Sequence, residues 1–265
     1  MNLLPALGPM GPSTVALLFV AALLGGALNS VAGGGSFLSF PSLIFAGVPP
    51  INANATSTVA LWPGSVASVF AYREELGRHD RRFVVSLSLI SLVGGVLGSV
   101  LLLRTSQATF ARLLPWLLLV ATLLFALGSR ITAQLRRRFS LGSGQSREAT
   151  LAVALFQLVI ALYGGYFGGG IGILMLAALG LLGLRNIHEM NALKTLLAGA
   201  INGIAVLIFV VAGVVAWPQA LLMLVGATIG GYGCASYARR LNPKYVRVFV
   251  ILVGVSMTAY FFLRG

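Results

Sequence analysis

Acid is what this chain has least of. Among 265 residues only Glu74, Glu75, Asp80, Glu148 and Glu189 carry a carboxylate, and none lies in the middle of an apolar run. That excludes the carboxylate pair that acid/base or metal chemistry would need. Cysteine is nearly absent too: Cys234 stands alone, so no intramolecular disulfide and no thiolate zinc site can form. No Gly-x-x-x-x-Gly-Lys-Ser/Thr stretch occurs, which removes ATP hydrolysis by this chain and leaves passive flux or coupling to a proton or sodium gradient. No cofactor motif is present. The formal net charge of +13 would suggest nucleic acid in a soluble protein, but here the basic residues sit between apolar runs rather than along one surface, which argues against that partner.

What is abundant is hydrocarbon. The chain is 58% hydrophobic and 9% charged, more apolar than a soluble domain of this size can hide. Long apolar runs cover 14–32, 54–72, 83–103, 110–129, 149–167, 191–213, 217–238 and 245–263, each near the length of a spanning helix. Runs 36–47 and 171–184 are too short to cross a bilayer alone. Met1 to Ser13 lacks a positive n-region, so 14–32 reads as a retained first helix. Transmembrane strands would alternate polar and apolar residues, and these runs do not. The expected class is an all-α, polytopic membrane protein.

The two halves repeat. A shift of 137 residues carries Gly33 onto Gly170, Gly35 onto Gly172 and Asn54 onto Asn191, and a shift of 136 carries Gly94-Gly95 onto Gly230-Gly231. Each half then has five segments in the same order, giving a first repeat over 14–130, a basic cytoplasmic linker over 131–148 and a second repeat over 149–263. An odd number of segments inverts the second half. Charge tests this independently, because cytoplasmic loops collect Lys and Arg. The loop after the third segment holds Arg73, Arg78, Arg81 and Arg82 in the first half and no charge in the second (213–217). The loop before it is uncharged in the first half (48–53) and holds Arg185, His188 and Glu189 in the second. With both termini outside, 14 of the 18 basic residues fall on one side; Arg104, Arg112 and Arg264 fall on the other, and Lys194 lies within a span.

Duplicated halves with glycine-interrupted segments point to a secondary transporter with its site at the repeat interface. A helix broken at Gly33, Gly34 and Gly35 is expected to leave N–H groups of the next short helix free as an anion-binding terminus. Asn29, Ser30, Ser36 and Ser39 offer donors beside it. The second cluster, Gly168, Gly169, Gly170 and Gly172, has Tyr163 and Tyr166 nearby. Asn54, Thr56, Ser57 and Thr58, with Asn191, Lys194 and Thr195, open long helices in this reading, where Asn serves as an N-cap or as a site group. Lys194 is either the partner of an anion or a side chain snorkelling to the cytoplasmic surface; Asn202 extends its polar stripe. Gly94-x-x-x-Gly98 and Gly226-x-x-x-Gly230 read as helix-packing motifs. Trp62, Trp116 and Trp217 read as interfacial anchors. His79 and His188 read as solvated, with a proton-linked role open for His188.

The stretch Gly33-Gly34-Gly35-Ser36-Phe37-Leu38-Ser39 with Pro41, then Asn54-Ala55-Thr56-Ser57, Pro63-Gly64-Ser65 and Tyr72-Arg73, resembles the first half of the sulfite exporter TauE/SafE family. Gly226, Gly230-Gly231-Tyr232 and Ala238-Arg239-Arg240-Leu241 resemble the end of its second half, so the resemblance spans about 20 to 263. It implies a permease in the cytoplasmic membrane for sulfite, sulfonates or another small organosulfur or organic anion. The competing readings are an anion channel, which needs a continuous polar lining, and a non-transporting scaffold, which needs no broken helices. The halves differ at one place: Asn54-Ala55-Thr56-Ser57-Thr58 is matched by Asn191-Ala192-Leu193-Lys194-Thr195, with a cation where the first half has Ser57.

Overall fold

The computed structural model describes residues 10–31, 34–71, 73–77, 79–138, 147–181, 184, 186–233 and 243–264. These form eleven helices and no strand: α1 (Pro12–Val31), α2 (Ser36–Phe45), α3 (Pro50–Ala71), α4 (Arg73–Leu76), α5 (Arg81–Arg104), α6 (Gln107–Arg138), α7 (Arg147–Tyr166), α8 (Ile171–Leu181), α9 (Ile187–Val211), α10 (Trp217–Gly233) and α11 (Pro243–Arg264). Pro12, Pro50 and Pro243 stand at the first helical position, where the missing N–H costs no bond. Asp80 caps α5 by accepting from the Arg82 N–H at 3.0 Å, and Asn186 caps α9 by accepting from the His188 N–H at 3.0 Å. α6 runs through Arg130 to Arg138, so the front of the basic linker is helical.

Among the described residues four stretches are long and apolar enough to cross a membrane: Pro12–Asn29, Arg81–Arg104, Gln107–Gly128 and His188–Val211. The sequence promised eight. α3 has the length, at 22 residues, but Asn52, Asn54, Thr56, Ser57 and Thr58 dilute it, and four of those five are buried within the protein. The outer surface is apolar in helical register. Leu89, Val93, Leu97 and Leu101 line one face of α5, and Leu221, Val225 and Ile229 one face of α10, all exposed. Faces of that extent need a covering, and hydrocarbon supplies one.

Corresponding helices pair reciprocally. α1 packs on α10 and α5 on α7, so the first helix of each half lies against the fourth of the other. Small residues permit this approach. A Cβ on Gly94 would sit 2.8 Å from the Leu158 carbonyl oxygen, and one on Gly226 2.9 Å from that of Phe19; Gly98 and Gly230 lie tighter still, against the Leu162 and Leu23 carbonyls. The packing role read for both glycine pairs is what these contacts give. α3 also packs on α10 and α5 on α9, and the fifth helices α6 and α11 meet each other.

α3 and α9 cross antiparallel. Asn52 Nδ2 donates to the Val214 carbonyl (2.8 Å), the Ala216 N–H donates to Thr56 Oγ1 (3.0 Å), and Trp62 Nε1 donates to the Gly199 carbonyl (3.1 Å). Further along, α4 packs on α9, and His79 Nε2 lies 3.9 Å from Glu189 Oε2. The two uncharged loops therefore meet at one end and the two charged loops at the other. Two expectations change here. Trp62 is no interfacial anchor but packs in the α3/α9 crossing, because Gly203 leaves room for its indole; Trp217 is exposed at the start of α10, and Trp116 is exposed well inside α6. His79 is not solvated, since its side chain is 10% exposed under α9, whereas His188 is exposed.

Candidate functional site

α1 and α2 meet at the first glycine cluster. A Cβ on Gly35 would lie 3.1 Å from Asn29 Cβ and overlap the Gly25 backbone, so only glycine lets α2 start this close to α1. The free N-terminus expected here is largely used up. Phe37 N donates to the Gly34 carbonyl (3.2 Å), and Leu38 N and Ser39 N donate to that of Gly35 (3.1 and 3.2 Å), a tightened first turn that satisfies its own donors. Ser36 lines a small cavity at this end. Asn29 is partly buried and has no hydrogen bond among the described residues. Gly33 and the side chain of Ser30 lie outside them.

The second cluster turns on Gly168 and Gly170, with φ of 80° and 77°, a conformation that L side chains rarely adopt. Tyr163 Oη donates to the Gly169 carbonyl at 2.8 Å and fixes the turn from the preceding helix. Ile173 N donates to the Gly170 carbonyl, so α8 also starts with a tightened turn. Tyr166 turns its hydroxyl toward Thr105 (3.4 Å), and its carbonyl receives Asn54.

Between the clusters, Ser36, Phe37, Phe40, Asn54, Leu118, Phe167 and Gly169 line a small, half-open cavity of about 10 Å³, room for a single water. The α3 polar group closes this region. Asn54 Nδ2 donates to the Tyr166 carbonyl (3.1 Å), Ser57 and Ser39 share a hydrogen bond (2.6 Å), and Thr56 receives Ala216 N. Asn52 and Gln107 complete it: Gln107 Nε2 donates to Asn52 Oδ1 (2.9 Å), and Gln107 Oε1 accepts from Ile51 N (3.0 Å). Asn52, Asn54, Thr56 and Ser57 are all buried.

Asn54 and Asn191 are not N-caps. α3 starts at Pro50 and α9 at Ile187, each about one turn earlier, because Pro50 and the cap Asn186 are the stronger start signals. Asn52 and Gln107 went unnoticed as functional groups; Asn52, two residues before Asn54 in a polar run, was the visible signal.

The matched group on α9 behaves differently. Asn191, Lys194, Thr195 and Asn202 are each partly exposed, and none has a hydrogen bond or ion pair among the described residues. Asn191, Thr195 and Asn202 fall within about 40° on the helix, with Lys194 about 80° from their centre. Lys194 lies toward α8: a Cβ on Gly172 would touch its Cδ at 3.3 Å. Gly199 and Gly203, on the other flank of the stripe, face α3 through Val69 and Trp62, while the exposed Leu207 and Val211 lie on the far side. The stripe therefore faces inward between α8 and α3. One half-site is bonded shut, and its counterpart holds a cation and three polar side chains that have no side-chain partner among the described residues.

Comparison with known proteins agrees with the architecture. Over 253 residues the chain is 27% identical to "Probable membrane transporter protein YfcA" of Escherichia coli (strain K12), covering 94% of this chain and 90% of that one. It is 29% identical over 247 residues to "Probable membrane transporter protein ORF9" of Sinorhizobium sp, covering 92% and 90%. A "Probable membrane transporter protein" of Haemophilus influenzae is 24% identical over 257 residues, covering 94% and 95%. No solved structure matches. The sulfite exporter TauE/SafE family matches residues 18–261, nearly the whole chain, and this multi-pass membrane protein belongs to that family.

Proposed function

We propose that the protein is a secondary transporter or facilitator that carries a small anion across the cytoplasmic membrane, with an inverted repeat moving by alternating access around a site between the halves. The cargo class is sulfite, an organosulfonate or another small organic anion. Supporting the inversion are the antiparallel α3/α9 crossing and the reciprocal pairing of first and fourth helices. Supporting the anion are Lys194 and its unbonded neighbours over Gly172.

The observation that carries this reading is the difference between the two matched half-sites. In a carrier built from two like halves, one side is closed while the other is open, and the closed copy spends its polar groups on protein. Asn54 and Ser57 are spent in this way; Asn191 and Lys194 are not bonded to any described side chain. The site residues on this reading are Gly172, Asn191, Lys194, Thr195 and Asn202, with Asn29, Gly34, Gly35, Ser36 and Gly168 to Gly170 around the interface. Asn54, Thr56 and Ser57 bolt the closed end. A seal with room for one water fits a carrier better than a channel.

A thermal-shift series on purified protein with sulfite, methanesulfonate, taurine, sulfoacetate, formate and oxalate tests the reading, because a ligand of the folded state raises Tm by mass action. A rise with at least one anion, lost in Lys194→Met, is the expected result. No shift with any of them would overturn it.

A further inference from the structure

Lys194 stands alone in a way that fixes the charge of what it meets. All five carboxylates of the chain belong to the charged loops or to the helix turns that adjoin them: Glu74 and Glu75 in α4, Asp80 at the start of α5, Glu148 in the first turn of α7 and Glu189 in the first turn of α9. Glu189 is the nearest of these along the helix. It lies five residues before Lys194, about 140° around the axis, and its carboxylate reaches His79 on α4. Of the other cations inside membrane runs, Arg112 is exposed on the outer side of α6 and Arg247 belongs to the start of α11, whereas Lys194 is partly buried against α8. The remaining groups of the stripe, Asn191, Thr195 and Asn202, are neutral.

We infer that the site accepts a monoanion and crosses the membrane only when occupied, so that the protein exchanges one monoanion for another; this rests on the transport reading above. The argument is one of charge balance. An occluded site containing Lys194 and one single negative charge is neutral. Empty, a site whose lysine keeps its proton carries an uncompensated positive charge; with a dianion, an uncompensated negative one. Either is costly in a medium of low dielectric. The return of the carrier therefore requires a second monoanion from the other side. Neutral donors on α9 orient the ligand without altering this sum. No proton or sodium ion needs to travel with the cargo, and no carboxylate in the spans is present to hold one.

The test uses the full-length protein in chloride-free liposomes, with methanesulfonate and formate as monoanions and sulfate and oxalate as dianions. Binding is read first, by thermal shift. Counterflow is then read with a labelled form of the anion that binds best. Monoanions are expected to bind best, and uptake into liposomes preloaded with unlabelled monoanion should run at least about tenfold faster than into sucrose-loaded liposomes. Lys194→Arg should keep that ratio. Lys194→Met should bring it close to one, at lower affinity, because the neutral site can return empty. Dianions binding more tightly than monoanions, equal uptake into loaded and sucrose-filled liposomes, or uptake into sucrose-filled liposomes driven by a pH gradient would each overturn the inference while leaving anion transport standing. No binding of any of the four would overturn the transport reading itself.

Discussion

Trp62 and Gly199 occupy the same place in the two halves, 137 residues apart, and touch each other: the indole N–H donates to the Gly199 carbonyl at 3.1 Å. On the inverted-repeat reading proposed above, equivalent residues meet where the axis relating the halves passes between them. On one side of this contact Asn52 reaches Val214, and on the other His79 reaches Glu189. The crossing of α3 and α9 thus brings the third helices of the two halves together. Trp62→Phe keeps the ring and removes the donor, and should lower stability by about 1 kcal/mol, seen as a modest fall in Tm in detergent. Gly203→Leu, which places side-chain atoms where the indole lies, should lower Tm much further. Equal Tm in Gly203→Leu and the parent would rule out this crossing.

The meeting of like loops predicts sidedness. In a Cys234→Ser background, Glu74→Cys should be reached by a membrane-impermeant thiol reagent only from the cytoplasm, and Ala212→Cys only from outside. Both sites are exposed, so labelling reports topology rather than burial. Labelling of both from the same side would contradict the swapped charges.

The polar bolts at the uncharged end predict a shift of state. Asn52→Ala removes a donor to Val214 and an acceptor for Gln107. It should raise outside labelling of a cysteine placed at Asn54, several-fold over the same cysteine with Asn52 intact. Gln107→Ala should act in the same direction. Unchanged labelling in both would mean that these bonds serve packing alone.

The small residues at the reciprocal helix pairs predict where bulk is refused. Gly230→Leu and Gly98→Leu should abolish the folded protein, because each Cβ would overlap a carbonyl of the facing helix. Gly11→Leu, with open space around it, should be tolerated. Recovery of folded Gly230→Leu at parental yield would refute the close approach of α1 and α10.

Much of this architecture was readable from residues. The half-length α2 and α8 and the packing glycines follow from spacing. What spacing hides is partnership. Asn54 and Asn191 look alike in sequence, yet one is bonded to Tyr166 and the other to no described residue, and only the relative position of helices far apart in the chain decides this. The same holds for Trp62, whose partner is 137 residues away. Asn54 and Asn191 mark the helix starts a turn too late, because Pro50 at the first helical position and the cap Asn186 are the stronger start signals. The N–H groups of α2 were counted as free because a tightened first turn leaves no mark in the sequence.

The reciprocal packing also bears on how the chain is made. α1 and α5 each find their closest neighbour in the later half, α10 and α7. During synthesis α5 waits for α7 (Arg147–Tyr166) across the linker, and α1 waits far longer, until α10 (Trp217–Gly233) is made, before their packing faces are covered. Neither half is then a folding unit. A nascent first half is a substrate for membrane proteases, and two fragments cut within 139–146 should survive only when they are produced together.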